Sequence, residues 1–187
     1  MEFDPVAVSR ELASDRRRDG KYMGDLQVQV LMGSASDADV MANTVRTLRE
    51  FGVSCEMTVA SAHRSPDRVH SVIEQALNRG VKVFVVGAGA AAHLAGVVAA
   101  HTERPVIGVP IDSSPLGGFD ALLSTVQMPP GVPVATVAVG KAGATNAAVL
   151  AAQILAVSDP EIRSRLENYR RVLAVKVEQA AASLVEP

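Results

Sequence analysis

The sequence has no tryptophan and few other aromatic residues, with two tyrosines and four phenylalanines among 187 residues. Proteins that bind single-stranded nucleic acid stack the bases on aromatic side chains, and this chain has few to offer. Its net charge of −2 gives no basic field to attract a polyanion. The short run Arg16–Arg18 lies beside Asp15 and Asp19, and we interpret it as a solvated face. These absences argue against nucleic acid as a partner.

Cysteine is scarce as well, because Cys55 is the only one. A single thiol excludes an intrachain disulfide and fits a reducing compartment. Cys55 lies in the predicted strand Val53–Val59, and we interpret it as packed and unreactive rather than catalytic. No apolar run is long enough for a transmembrane helix, and the first residues lack the apolar core of a signal peptide. We therefore expect a cytoplasmic protein without a membrane partner.

Motifs for several common cofactors and catalytic devices are also missing. The four histidines lack the spacing of zinc ligands, and Cys55 has no cysteine partner. The segment Gly87–Ala92 lacks the third glycine and the distant acidic residue of a dinucleotide-binding fingerprint. The order of residues in Gly140–Gly143 does not match a P-loop, and no GxSxG nucleophile elbow occurs. We expect neither a metal nor an organic cofactor.

What the sequence does contain is a regular alternation of short apolar runs and helical segments. The predicted strands are Leu26–Met32, Val53–Val59, Val81–Val86, Pro105–Val109 and Val134–Val139. The predicted helices are Asp37–Phe51, Pro66–Arg79, Ala90–His101, Asp120–Gln127, Ala142–Val157 and a last one over about 159–183. Alternating strands and helices indicate a parallel sheet, and strands that are apolar on both faces need helices on both sides. We predict a three-layer, flavodoxin-like α/β fold with a doubly wound parallel five-stranded sheet, formed by a single domain over residues 25–187 after a polar N-terminal extension over residues 1–24.

Five loops that follow the predicted strands hold the residues best suited to chemistry. These loops are Gly33–Asp37, Ser61–Pro66, Gly87–His93, Pro110–Ser114 and Gly140–Asn146. In an open parallel sheet, ligands bind at the carboxyl ends of the strands. The fold therefore places all five loops at one edge of the molecule, and this edge is the predicted binding site.

Two of these loops offer groups for a phosphorylated ligand and for proton transfer. Gly33–Asp37 has hydroxyl groups, a carboxylate and backbone N–H groups at a helix start, which suit a phosphate and a sugar diol. A helix N-cap made by Ser36 or Asp37 is the competing interpretation. Arg64 can bind a phosphate or a carboxylate through two hydrogen bonds. His63 can accept and donate a proton near neutral pH, while His93 is predicted to be either a pocket wall or a core histidine.

Five motifs carry a resemblance to a known family. They are MGSASD (Met32–Asp37), SAHRSPD (Ser61–Asp67), GAGAAAHLAG (Gly87–Gly96), STVQMP (Ser124–Pro129) and GKAGATNAA (Gly140–Ala148). From about Gln27 to Tyr169 the chain resembles the N5-carboxyaminoimidazole ribonucleotide mutase family, which includes the related aminoimidazole ribonucleotide carboxylases. The resemblance implies an enzyme of de novo purine biosynthesis that moves a carboxyl group from N5 to C4 of a small ribonucleotide, through CO2 and aminoimidazole ribonucleotide. It also implies a homo-octamer whose last helix extends to a neighbouring subunit.

The resemblance further implies roles for individual residues. His63 would be the general acid/base. Ser34, Asp37, Ser61 and Arg64 would surround the ribose phosphate, and the loop Gly87–His93 would line the pocket for the imidazole and the carboxyl group. The substrate-binding residues predicted in this way are Ser34, Ser36, Asp37, Ser61, Ala62, Arg64, Gly89, Ala90, Ala91, His93 and Leu94.

Small differences in these motifs bear on the reaction. SAHR and AAHL resemble the mutase branch of the family, because the branch that uses CO2 directly typically carries SAHK and a GRSN-like loop. Ala90 and Ala95 depart from the family's common GAGGAAHLPG, where a glycine and a proline stand. We expect Ala90 to adopt a conformation open to a residue with a Cβ atom, and the site to be kept.

Three alternatives to the mutase reaction stay open at this point. The chain could be a direct, CO2-dependent aminoimidazole ribonucleotide carboxylase. It could be a non-catalytic nucleotide-binding module, because a fold alone does not determine function. It could also be a serine hydrolase that uses Ser34 or Ser61 with His63.

Overall fold

Five parallel strands form the centre of the computed structural model, which describes residues 26–184. The strands are β1 (Val28–Met32), β2 (Cys55–Val59), β3 (Val83–Gly89), β4 (Val106–Ile111) and β5 (Ala135–Thr136). They lie in the order β2-β1-β3-β4-β5, which is the flavodoxin-like order. The predicted fold class is therefore confirmed. The predicted extension over residues 1–24 lies outside the described residues.

Helices cover both faces of the sheet. They are α1 (Ala38–Glu50), α2 (Pro66–Asn78), α3 (Leu94–Ala99), α4 (Phe119–Val126), α5 (Gly140–Ala156) and α6 (Pro160–Ala182). One buried cluster joins Val28 and Val30 of β1 to α1, α5 and α6. A second joins Leu31 of the same strand to α2, α3 and α4. Because successive side chains of a strand point to opposite faces, the apolar residues of β1 contribute to both clusters, and three layers result.

Two elements are shorter than predicted. The predicted helix Ala90–His101 is wrong at its start, because β3 continues through Gly89 in register with Ile111 of β4. Helix α3 begins only at Leu94. The predicted strand Val134–Val139 is reduced to the two residues of β5, which pair with the edge of β4. The chain leaves this edge early because it must turn into α5 at Gly140, where φ is 72°.

Helix α6 packs against the rest of the domain in its first half and projects from it in its second half. The side chain of Asp159 accepts hydrogen bonds from the first turn, and Pro160 occupies the first helical position, as predicted. Its first half is fastened to the end of α1. Arg165 Nη1 donates to the carbonyl of Phe51 at 2.8 Å and fills the space where a side chain at Gly52 would lie.

The second half of α6 is exposed and carries apolar residues. These are Val172, Leu173, Val175 and Val177. A helix that projects from its domain with exposed apolar side chains fits the predicted extension to a neighbouring subunit, which stays a prediction. Within residues 26–184, no helix combines the length and the apolar character needed to cross a membrane.

Candidate active site

The carboxyl ends of β1, β2 and β3 lie side by side at one edge of the sheet. Met32 is in register with both Val59 and Gly87. Backbone hydrogen bonds then tie the loops together, since Gly33 N–H donates to the carbonyl of Gly87 at 3.2 Å and Ala60 N–H to that of Met32 at 3.0 Å. The structure thus brings together the loops predicted to meet at this edge.

The two remaining loops border the same edge. Ser113 lies against Gly89, where a side chain would clash with the Ser113 hydroxyl and the Ile111 carbonyl. The next loop lies beside Asp112, because a Cβ atom on Gly140 would stand 3.3 Å from its Oδ1. The absence of a side chain at Gly89 therefore allows the loop after β4 to approach the predicted imidazole pocket.

The loop after β1 is organised as a capping box. Ser34 Oγ accepts a hydrogen bond from Ser36 N–H, and Asp37 Oδ2 accepts one from Ser34 N–H at 3.2 Å. Asp37 is 4% exposed. Burial raises the pKa of this carboxyl, and the hydrogen bonds from Ser34 N–H and the Ser36 hydroxyl act in the opposite direction. This loop is thus a helix cap, but the capping side chain is that of Ser34 and not that of Ser36 or Asp37, as the competing interpretation expected.

Arg64 links the loops after β1 and β2. Its Nη2 donates to the carbonyl of Gly33 at 3.3 Å, and its Nε to Ser61 Oγ at 3.4 Å. An open pocket of about 490 Å³ lies between the two loops. It is lined by Gly33, Ser34, Ala35, Val59, Ala60, Ser61, Arg64, Ser65 and Arg68. Two guanidinium groups and two hydroxyl-bearing loops in one depression suit a phosphate group.

Arg68 is the residue of this pocket that the sequence analysis missed. Its Nε donates to the carbonyl of Val59 at 2.8 Å and its Nη2 to Thr58 Oγ1 at 3.1 Å, so that it holds the end of β2. The available signal was its place in the sequence. Arg68 lies in the first turn of α2, directly after the loop that carries Arg64.

The loops after β2 and β3 meet through two histidines. His63 Nε2 lies 2.9 Å from His93 Nδ1, and the ring centroids are 5.0 Å apart at an interplanar angle of 79°. One of the two nitrogens must donate the proton of this hydrogen bond and the other accept it. Both residues are exposed. His93 is therefore not a core histidine, and its place in the wall of a binding pocket stays a prediction.

The loop between β3 and α3 differs from two expectations. Ala90 has φ of 50°, in the left-handed region that favours glycine, so the expectation of a conformation readily open to a Cβ atom is wrong. The predicted binding residue Leu94 is 2% exposed and packs in the core, which leaves only its backbone for a ligand. Ala62 also packs, half-buried, against that core, while Ala90 and Ala91 are exposed at the pocket.

Comparison with known proteins agrees with this geometry. The family model for AIR carboxylase (AIRC) matches residues 27–176. The chain belongs to the AIR carboxylase family. Among its relatives in this family is the N5-carboxyaminoimidazole ribonucleotide mutase of Pyrococcus horikoshii, 50% identical over 159 residues that cover 85% of this chain and 89% of that protein. The mutase of Bacillus subtilis is 49% identical over 158 residues, covering 84% and 98% respectively.

A solved structure of the AIR carboxylase family has the same architecture. The crystal structure of Treponema denticola PurE superimposes with a TM-score of 0.77 at 30% identity, covering 86% of this chain and 99% of that one. The resemblance drawn from the five sequence motifs is therefore confirmed, and it extends over nearly all described residues.

Proposed function

We propose that this chain converts N5-carboxyaminoimidazole ribonucleotide into 4-carboxy-5-aminoimidazole ribonucleotide in de novo purine biosynthesis. Its membership of the AIR carboxylase family supports this reaction, as do the mutases that share about half of its sequence. The observation that carries the proposal is the 2.9 Å contact between His63 and His93. It places an exposed imidazole, held by a second one, at the same edge as the pocket of Arg64 and Arg68.

The substrate phosphate is proposed to bind between the loops after β1 and β2. Arg64 and Arg68 supply positive charge there, and Ser34 and Ser61 supply hydroxyl groups. The buried carboxylate of Asp37 holds the backbone of Ser34 in place and can accept a hydrogen bond from a ribose hydroxyl. This arrangement directs the base of the nucleotide toward the loop Gly87–His93, where the two histidines meet.

One proton accounts for the whole rearrangement. Loss of CO2 from the N5 carbamate leaves an amine that needs a proton, which His63 donates. Carbon C4 of aminoimidazole ribonucleotide is enamine-like, and its electron pair then forms the new bond to CO2. The intermediate carries both a hydrogen and a carboxylate at C4, and His63 removes that hydrogen as a proton to restore aromaticity. His63 thus ends in its initial state, and no oxidant, metal or cofactor takes part.

CO2 must stay in the site between the two steps. The apolar residues of the loop after β3 offer it neither a nucleophile nor a hydrogen-bonding side chain, and they limit the access of water. Among the apolar residues of this loop, Ala90 and Ala91 are exposed. They are proposed to border the imidazole ring and the carboxyl group in transfer.

A homo-octamer in the cytoplasm is proposed for the whole protein. The exposed apolar side chains of Val172, Leu173 and Val177 on the second half of α6 support assembly, because such residues are usually covered by a partner. The first half of α6 is fastened to α1 by Arg165. The second half is therefore free to contact a neighbouring subunit.

The decisive experiment compares wild type with His63→Asn in buffer without bicarbonate. We expect turnover of the N5-carboxy ribonucleotide by wild type and near-complete loss in His63→Asn, with binding of the unreactive product retained. His70→Asn is the matched control, because His70 is an exposed histidine of α2 that pairs with Glu74.

Each of the other possible outcomes would support one of the three alternative functions. Activity that appears only when bicarbonate and aminoimidazole ribonucleotide are supplied would make the protein a direct carboxylase. Product binding without activity in either assay would make it a nucleotide-binding module. Labelling of Ser34 or Ser61 by a serine-reactive phosphonate, with loss of activity, would indicate a serine hydrolase.

A further inference from the structure

The loop between β3 and α3 carries an alanine in a backbone conformation that usually requires glycine. Ala90, with φ of 50°, is the only non-glycine residue with positive φ in the described part of the chain. A Cβ atom makes this region narrow and unfavourable, whereas glycine enters it freely. The chain keeps a side chain where its removal would relieve strain, and such strain is typical of functional segments.

Both ends of this loop are held in place. Ala88 and Ala92 are buried, and Gly89 lies so close to Ser113 that a side chain there would clash. Ala90 follows at the exposed part of the loop. Because the flanking residues are packed, the torsion angles of Ala90 decide the path of the chain between the sheet and α3.

His93 depends on the same turn. Its N–H donates to the carbonyl of Ala91 at 2.8 Å, and its Nδ1 lies 2.9 Å from His63 Nε2. The imidazole stands directly before α3, so its position follows that of the backbone. A change in the turn at Ala90 is therefore transmitted within three residues to the contact with His63.

We propose that Ala90 is a positioning residue for the His63–His93 pair, an inference that rests on the proposed role of His63. The packed flanking residues hold residue 90 at positive φ. There the methyl group leaves only the narrow left-handed region, whereas glycine could adopt several conformations. Ala90 thereby lowers the stability of the loop and gives His93 a single position. This effect acts through the two histidines and is separate from the proposed place of Ala90 beside the imidazole ring of the substrate.

The test compares Ala90→Gly with Ala90→Ser and with Ala100→Gly. Ala90→Gly is expected to raise the melting temperature by about 2–4 °C and to lower kcat roughly tenfold, with KM changed by less than about twofold. Mass spectrometry of the slow exchange of the imidazole C2 hydrogen should show altered rates at His63 and His93. Ala90→Ser keeps the Cβ atom and should keep the wild-type exchange rates. Ala100→Gly changes an exposed alanine with negative φ at the C-terminal end of α3, and it should match wild type in both kcat and exchange.

Either of two results would overturn the proposal. One is wild-type kcat and wild-type imidazole exchange in Ala90→Gly. The other is altered imidazole exchange in Ala90→Ser, or a loss of kcat in Ala100→Gly as large as in Ala90→Gly. Failure of the proposed function is recognised separately, as full activity of His63→Asn, and the imidazole exchange rates still report on Ala90 in that case.

Discussion

His63 and His93 are separated by thirty positions in the sequence, yet their ring nitrogens Nε2 and Nδ1 lie 2.9 Å apart. The contact joins the loops that follow β2 and β3. A hydrogen bond of this length orients both rings, and one of the two nitrogens carries the proton that the other accepts. The proposed acid/base is therefore oriented by a residue of another loop.

We predict that His93→Asn lowers kcat by about 10–100-fold, because His63 loses the ring that orients it and proton transfer depends on geometry. Binding of the product should change much less, and isothermal titration calorimetry can measure it. His101→Asn is the control, because His101 is an exposed histidine bonded to the carbonyl of Val97. Unchanged turnover in His93→Asn would contradict the oriented pair.

The second prediction concerns Arg64. Arg64→Ala should raise KM by about 10–100-fold, since a hydrogen bond to a charged group is lost, with a small effect on kcat. A higher KM with an almost unchanged kcat means that the residue stabilises the bound substrate and the transition state equally. Steady-state kinetics with Arg104→Ala as control test it, because Arg104 is exposed and lies before β4, at the opposite edge of the sheet. A fall in kcat with unchanged KM would argue against phosphate binding by Arg64.

Helix α5 has a position that does not tolerate a side chain. A Cβ atom on Gly143 would lie 1.6 Å from the backbone oxygen of Ala138. Gly143→Ala should therefore lower the free energy of unfolding by about 3 kcal/mol, the upper range for overpacking. In Gly96→Ala the new Cβ would meet only the flexible side chain of Met128 at 3.1 Å, and we expect a change of about 1 kcal/mol or less. Urea denaturation measures the free energy of unfolding of both variants. An equal loss of stability in Gly143→Ala and Gly96→Ala would contradict this prediction.

Cys55 is expected to be nearly inert in the native protein. Burial, the largest cause, raises the pKa of its thiol to about 11. At pH 8 only about one thiol in a thousand is then the reactive thiolate. Reaction with Ellman's reagent should accelerate about tenfold per pH unit up to pH 10 and should be fast in the denatured protein at pH 8. Rapid labelling of the native protein at pH 8 would show that the thiol is accessible and ionised.

The raised pKa of Cys55 also affects the stability of the folded protein at alkaline pH. The pKa of Cys55 is raised in the folded state, so the native protein keeps this proton where the unfolded chain, with a thiol pKa of about 8.5, has lost it. Its contribution to stability is fully present below about pH 8.5 and is lost as the pH rises toward 11. Cys55→Ala should remove this part of the alkaline destabilisation, which can be followed by thermal unfolding between pH 8 and 10.

The last prediction concerns assembly. Leu173 and Val177 of α6 are 44% and 70% exposed. Leu173→Asp combined with Val177→Asp should reduce the mass measured by sedimentation, because charged residues cannot be buried unpaired at an interface. Glu178→Gln changes a polar residue of the same segment and should leave the mass unchanged. An unchanged mass in the double variant would exclude this face as an interface.

The sheet was predictable because its central strands β3 and β4 are continuous apolar runs, and such runs between helical segments leave few alternatives. The loops at its edge were predictable as a group for the same reason. Three features of the site were not. The pairing of His63 with His93 depends on side-chain orientation across two loops, and Ala90 adopts a torsion that only the packing of its neighbours enforces. The early end of β5 follows from the turn at Gly140, which a propensity for strand cannot reveal.

The absence of a side chain at Gly52 has a consequence far from its own position. Arg165 occupies that space and fastens α6 to the end of α1, and the helix continues from there to Ala182. The ring of Tyr169 still packs against Phe51, and the exposed part of the helix beyond it is about 20 Å long at 1.5 Å per residue. Each tilt of about 5° at its base would move the far end by about 2 Å. The direction that Gly52 and Arg165 give to α6 therefore determines where its exposed end can meet another subunit.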